Sequence, residues 1–166
     1  VETLANREPR DNFLDRAMTW NENGVLNGAR HLAIAGTTFY VATDAGIVIL
    51  DLDDPLKPRY VKTIPIADAR ASQVQFRYLF VTAKDGLHVV DVTRPEDARE
   101  VAGAMLPLRD AHKLHVARTY AYIANGADGL AIVDVTNPEH PKLYEMFTAD
   151  GKINDARDVI VGTTNA

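Results

Sequence analysis

Apolar residues fall in short runs divided by polar turns, and no internal stretch keeps a 3.6-residue period. Leu32 and Ile34 alternate with small residues up to Gly36, which predicts a first strand. Phe39–Thr43 predicts a second. A tight Asp/Gly turn at Gly46 leads into Ile47–Asp51, a third strand that is apolar almost throughout. Such a run predicts a strand covered on both faces. Asp53-Asp54-Pro55-Leu56-Lys57-Pro58 cannot continue a central ladder, because proline lacks the N–H. Arg59–Ile64 then predicts a fourth, edge-like strand. Later segments repeat the series, with Arg99–Met105 and Lys142–Phe147 as their last strands.

The repetition is specific. Gly46-Ile47-Val48-Ile49-Leu50-Asp51-Leu52 recurs as Gly86-Leu87-His88-Val89-Val90-Asp91-Val92 and as Gly129-Leu130-Ala131-Ile132-Val133-Asp134-Val135, each followed by a proline turn. The glycines are 40 and 43 residues apart. Ala29-Arg30, Ala69-Arg70 and Ala111-His112 each stand 12 residues ahead of the core of the second strand, at Val41, Val81 and Ile123. A fourth copy opens at Ala156-Arg157 and runs on as Asp158-Val159-Ile160-Val161-Gly162. Four strands in about 40–45 residues is the blade of a β-propeller. A WD40 reading fits poorly, since the only tryptophan, Trp20, lies outside the repeats.

These phrases resemble the LVIVD repeat over about residues 28–147, with a partial copy at 155–162. The resemblance implies β-propellers of bacterial and archaeal exported or cell-surface proteins, hence an extracellular, surface or periplasmic location, and no particular activity. The expected fold is all-β, a partial propeller of three four-stranded blades plus the first strand of a fourth. Its parts are an N-terminal linker or extension (1–27), blade 1 (28–67), blade 2 (68–109), blade 3 (110–154) and the start of blade 4 (155–166). The linker is polar, with Phe13, Leu14, Met18 and Trp20 as anchors and at most a short helix near Asn12–Met18. Closed rings take roughly four to eight blades, so further blades of the same polypeptide, a second copy or a protein partner is expected to cover the array. The start at Val1 fits a processed or excerpted chain.

Composition narrows the function. The 166 residues carry 18 basic and 23 acidic side chains, a net charge of −5, which argues against nucleic-acid binding. Without cysteine the chain has no disulfide, c-type haem attachment, thiolate zinc site, iron–sulfur cluster or thiol nucleophile. The longest strongly apolar run, Ile47–Leu50, is far too short to span a membrane.

The motifs are structural. His112-Lys113-Leu114-His115 lies on a predicted strand, where i and i+3 point to opposite faces, so no metal pair is expected. His31, His88 and His140 are scattered and read as structural or surface residues. Asp51, Asp91 and Asp134, one per repeat and each just ahead of the proline turn, are expected to bond backbone N–H groups of that turn. Gly46, Gly86 and Gly129 supply positive φ in hairpin turns. Ser72, the only serine, sits in no Gly-x-Ser-x-Gly elbow, and neither a phosphate loop nor a dinucleotide fingerprint is present. No catalytic, cofactor or metal residue is assigned.

The one positional candidate is a ring. Arg30, Arg70, His112 and Arg157 open successive inner strands, and Asp68, Asp110 and Asp155 stand two residues ahead of the last three. In a propeller these positions surround one mouth of the central channel. They serve either as ties between blades, the reading that the paired aspartates favour, or as a docking or small-anion surface. The leading functional expectation is a non-catalytic interaction or scaffold module. The alternatives are an accessory propeller of a multihaem cytochrome or other redox assembly, and a hydrolase or lyase working at the channel mouth.

Overall fold

The computed structural model describes residues 17–162. It is all-β, with three consecutive antiparallel sheets in simple up-and-down order. Blade 1 comprises β1 (His31–Ala35), β2 (Thr38–Thr43), β3 (Gly46–Asp51) and β4 (Arg59–Ile64). Blade 2 comprises β5 (Ala71–Gln75), β6 (Tyr78–Ala83), β7 (Gly86–Asp91), β8 (Arg99–Glu100) and β9 (Leu106–Pro107). Blade 3 comprises β10 (Leu114–Ala117), β11 (Tyr120–Ala124), β12 (Leu130–Asp134) and β13 (Lys142–Phe147). Single 3-10 turns occur at Glu22–Gly24 and Pro95–Asp97. The short helix expected near Asn12–Met18 lies outside the described residues, except for Ala17 and Met18, which are not helical.

The first three strands of each blade fall within a residue or two of where the repeat places them. The outer strands do not all do so. In blade 2 the strand expected over Arg99–Met105 is broken into β8 and β9, which pair with opposite ends of β7. Between them Val101 N–H still reaches Val89 O (2.8 Å), and the chain then loops out through Gly103 at φ 79°. Ala102-Gly103-Ala104 offers little side-chain surface to hold a pleat against β7. Blades 1 and 3 carry milder register shifts at the equivalent places, Ile49/Leu50 and Ile132/Val133. The fourth copy makes one β-bridge, Ala156 to Gly126, and residues 157–162 form no ladder among the described residues. An inner strand here pairs along its ladder only with the second strand of its own blade.

Successive faces of each blade do different jobs. One face packs forward: Tyr40, Ile47 and Ile49 of blade 1 meet Leu79, Val81 and Val90 of blade 2 in one buried cluster. The same forward column in blade 2, Tyr78, Phe80, Leu87 and Val89, meets Ala121, Ile123, Ala131 and Val133 of blade 3 in a second. The rear face of blade 1 (Val41, Val48 and Leu50) is covered by Trp20 and Leu26 of the N-terminal segment, with Phe39 and Leu52 at its margin. Glycine at the start of each third strand permits the close approach of the outer strand. A Cβ on Gly46 or Gly86 would lie 2.1 Å from the carbonyl oxygen of Ile64 or Leu106. On Gly129 it would lie 2.5 Å from that of Phe147.

Candidate functional site

The inner strands lie side by side and are stitched by side chains. Gln73 mimics a strand partner: its Oε1 accepts Val116 N–H (2.7 Å) and its Nε2 donates to Val116 O (3.1 Å). Gln75 Nε2 donates to Arg118 O (2.8 Å). One blade earlier, His31 Nδ1 accepts the backbone N–H of Ser72 (3.2 Å). Burial, then the charge of Lys113, lowers the His31 pKa, which favours the neutral, accepting form. Ser72 is buried and its Oγ has no partner, so no base activates it among the described residues.

At one end of these strands the predicted ring residues come together. Arg30 Nη2 donates to Asp44 Oδ1 (2.5 Å), while its Nη1 reaches Ala69 O (3.3 Å) and lies 3.6 Å from Asp68 Oδ1 of blade 2. Arg70 repeats the move one blade on. Its Nη1 donates to Asp110 Oδ1 (2.7 Å) and Ala111 O (3.0 Å), and its Nη2 holds Asp68 Oδ2 at 3.2 Å. The bond from Arg70 holds the Asp110 carboxyl below its usual pKa. Asp110 N–H donates to the buried Asn125 Oδ1 (3.0 Å), which fixes the start of blade 3.

His112 breaks the series. Its Nε2 lies 3.0 Å from Asp110 Oδ2 and 2.7 Å from Arg157 Nη1, and its Nδ1 lies 3.5 Å from Arg70 Nη1. The imidazole therefore sits between two guanidiniums, which can only donate, and one carboxylate. Arg157 is also paired with Asp155 (2.6 Å), and Lys113 Nζ with Asp158 (2.8 Å). Arg30, Asp68, Arg70, His112, Lys113 and Arg157 line a shallow depression of about 420 Å³. Each cation in it has a carboxylate within ion-pair distance or, for His112, within hydrogen-bond distance. The arrangement is a relay in which a cation of one blade reaches the backbone and aspartate that open the next.

Sequence reasoning singled out all seven ring residues and missed Asp44, Asn125, Lys113 and Asp158. Asp44 aligns with Lys84 and Gly126 of the other blades, and Asn125 with Thr43 and Ala83, so no recurrent residue type marks either position. His112 and His115 are apart in role: His112 joins the ring, and His115 pairs with Tyr122 inside the sheet of blade 3. Among the described residues no group of three or more His, Asp or Glu side chains could hold a metal.

The turn residues do local work at the opposite ends of the third strands. Asp51 accepts Asp53 N–H (2.9 Å), Asp91 accepts Thr93 N–H (2.9 Å) and Asp134 accepts Thr136 N–H (2.8 Å). Bonds from Arg59 to Asp51, and from Thr93 and Thr136 to the other two, hold all three carboxyls below the usual range. The turn after Asp134 also docks backwards. Tyr78 O–H donates to Glu139 Oε1 (2.7 Å), and Arg77 Nη2 donates to the same hydroxyl (2.6 Å).

His88 is a buried polar residue at the position held by Val48 and Ala131 in the other blades. Its Nδ1 lies 2.6 Å from Glu100 Oε1 and its Nε2 2.9 Å from Asp85 Oδ1. Burial alone would lower its pKa, but the two carboxylates outweigh burial and raise it. A neutral imidazole can donate from only one nitrogen, so this geometry favours the protonated ring.

The LVIVD repeat pattern matches residues 28–64 and 108–149, which are blades 1 and 3. The stretch between them is blade 2, with His88 and the broken outer strand. No curated protein matches the chain in sequence. Among solved structures, the computationally designed Ika4 protein superposes with a TM-score of 0.65 at 13% identity, over 85% of this chain and 84% of that one. The N-terminal domain of Nup159 superposes with a TM-score of 0.52 at 15% identity, over 72% of this chain and 34% of that one. The same values hold for a structure of S. cerevisiae Dbp5 bound to Nup159, Gle1, IP6 and ADP. The chain thus spans about a third of the length of these natural neighbours. These likenesses show the β-propeller fold and nothing finer.

Proposed function

We propose that this chain, which carries LVIVD repeats folded as consecutive β-propeller blades, is a non-catalytic interaction module that binds through the forward face of blade 3. One observation carries the reading. The forward column is buried in blade 1 (Tyr40 2%, Ile47 0%, Ile49 0%) and in blade 2 (Phe80 1%, Leu87 0%, Val89 0%). Its counterparts in blade 3, Tyr122, Leu130 and Ile132, are only half-buried, and Tyr144 and Phe147 beside them are 66% and 43% exposed. An apolar column built for burial and left open is the mark of an interface. The occupant is a protein surface, whether further blades or a separate partner. The exported or cell-surface location implied by the repeat resemblance belongs to the same proposal. No helix among the described residues is long and apolar enough to cross a membrane.

The ring supports this reading by what it lacks. Its cations already have carboxylate partners, so a free anion would have to displace them. Light scattering on the 166-residue chain tests the proposal. Concentration-dependent association that Tyr144→Glu with Phe147→Glu abolishes, without loss of folding, is the expected result. A stable monomer at high concentration, indifferent to both changes, would overturn it.

A further inference from the structure

A cleft of about 670 Å³ opens where the outer strand of blade 1 meets the turn after the third strand of blade 2. Ala98 is buried in it, and its walls carry four cations, Lys62, Arg77, Arg94 and Arg99. Two of its carboxylates are already committed. Asp91 accepts the Thr93 N–H (2.9 Å) and the Thr93 hydroxyl (2.5 Å), and Asp97 pairs with Arg94. Three of the cations are less well satisfied. Lys62 reaches across the blade junction from β4, where its Nζ lies 3.4 Å from the backbone oxygen of Glu96 and has no carboxylate within ion-pair distance among the described residues. Arg99 stands opposite Asp91 in the sheet, as Arg59 stands opposite Asp51. Arg59 holds its aspartate at 2.7 Å, whereas Arg99 has no carboxylate within ion-pair distance among the described residues. Arg77 is positioned by Tyr78: its guanidinium carbon lies 4.9 Å from the ring centroid and its Nη2 donates to the hydroxyl (2.6 Å), with Glu139 Oε1 at a long 3.4 Å. Lys62, Arg77 and Arg99 thus share the cleft with Glu96 as its one uncommitted carboxylate, a local cationic surplus in a chain of net charge −5. Cations held in place with donors to spare are what a carboxylate ligand needs.

Phe76 stands next to Arg77. It is 93% exposed and its backbone is left-handed, at φ 54°. The matching turn of blade 1 has Gly36 at φ 61°. The turn therefore requires a left-handed residue and makes no use of an aromatic ring. A bulky side chain in that conformation adds strain without packing in return, and such outliers cluster where ligands are held.

We propose that this cleft and Phe76 form a docking site for an acidic protein segment, one with two or more Asp or Glu side chains beside an aromatic or aliphatic residue. The carboxylates of the segment meet Lys62, Arg77 and Arg99, and its apolar side chain packs on Phe76. A polyanion of fixed charge spacing, such as a nucleic acid or a sulfated glycan, fits worse, because Asp91, Glu96 and Asp97 line the same walls and the molecule as a whole is acidic. A peptide can set backbone amides against Glu96 while its carboxylates meet the cations. The site shares no residue with the forward face of blade 3, and the inference does not rest on the reading of that face.

The test pans a displayed library of random peptides against the full chain and measures the enriched peptides by fluorescence polarisation, with heparin as the competing polyanion. Enrichment of Asp- and Glu-rich sequences that also carry an aromatic or aliphatic residue is expected, with affinity that falls as salt rises. Arg99→Gln and Lys62→Gln are each expected to weaken binding about three- to tenfold. Phe76→Asn keeps a residue that tolerates the left-handed turn and removes the ring. It is expected to weaken binding at least about fivefold and to leave the melting temperature unlowered, which a merely structural role for Phe76 would not do. Failure to enrich acidic sequences, displacement of every enriched peptide in favour of tighter heparin binding, peptide affinities unmoved by Arg99→Gln and Phe76→Asn, or a binding loss explained by a fall in melting temperature would overturn the inference.

Discussion

His88 is where a single side chain most alters its surroundings. Its pKa is raised in the folded chain, so the stabilisation it gives is complete below the ordinary histidine range. That stabilisation is lost as pH rises through the folded value. Urea unfolding between pH 6 and 9 is therefore expected to show falling stability, and His88→Val to flatten the slope. Removing the imidazole leaves Asp85 and Glu100 near the surface (61% and 38% exposed), where hydration compensates them. The ring arginines separate by burial. Arg70 is 20% exposed and makes four bonds to Asp68, Asp110 and Ala111, so Arg70→Gln is expected to cost about 1–3 kcal/mol. Arg30 is 41% exposed, and Arg30→Gln is expected to cost under about 1 kcal/mol. If the ring is structural, thermal melting falls by these amounts and no separate binding defect appears. A binding loss with unchanged melting would identify a docking surface instead.

At the level of elements, the hairpin of second and third strands was legible throughout, because an Asp/Gly turn between apolar runs is a local signal. The outer strands were less legible. Their alignment depends on what β3, β7 and β12 present across the sheet, and Ala102-Gly103-Ala104 yields no ladder although flanking residues do. The glycines proved to have a second reason. Positive φ was readable from the turn, but the near-contact of Gly86 with Leu106 O comes from an outer strand twenty residues on. Gly86→Ala is accordingly expected to destabilise the fold by about 2–4 kcal/mol, since it adds backbone strain at φ 151° to a clash with backbone. A change below about 1 kcal/mol in denaturant unfolding would contradict that contact.

For the whole molecule, the repeat carried the architecture. The ring was readable because its members recur in register, whereas Asp44 reaches Arg30 through the pairing of the first and second strands and Asp158 pairs with Lys113, neither at a position where the same residue type recurs. What the pattern of residues could not show is which apolar columns end up covered. The forward columns of the three blades look alike in sequence, and only the packing of blade on blade separates two closed interfaces from one open face. The chain's six tyrosines report on that difference. In dilute solution, nitration with tetranitromethane followed by peptide mapping is expected to modify the exposed Tyr144 and Tyr60 first and then Tyr122, and to spare Tyr40 until the chain unfolds. Tyr40 reacting as fast as Tyr144, or Tyr144 and Tyr122 both protected in the dilute monomer, would contradict it.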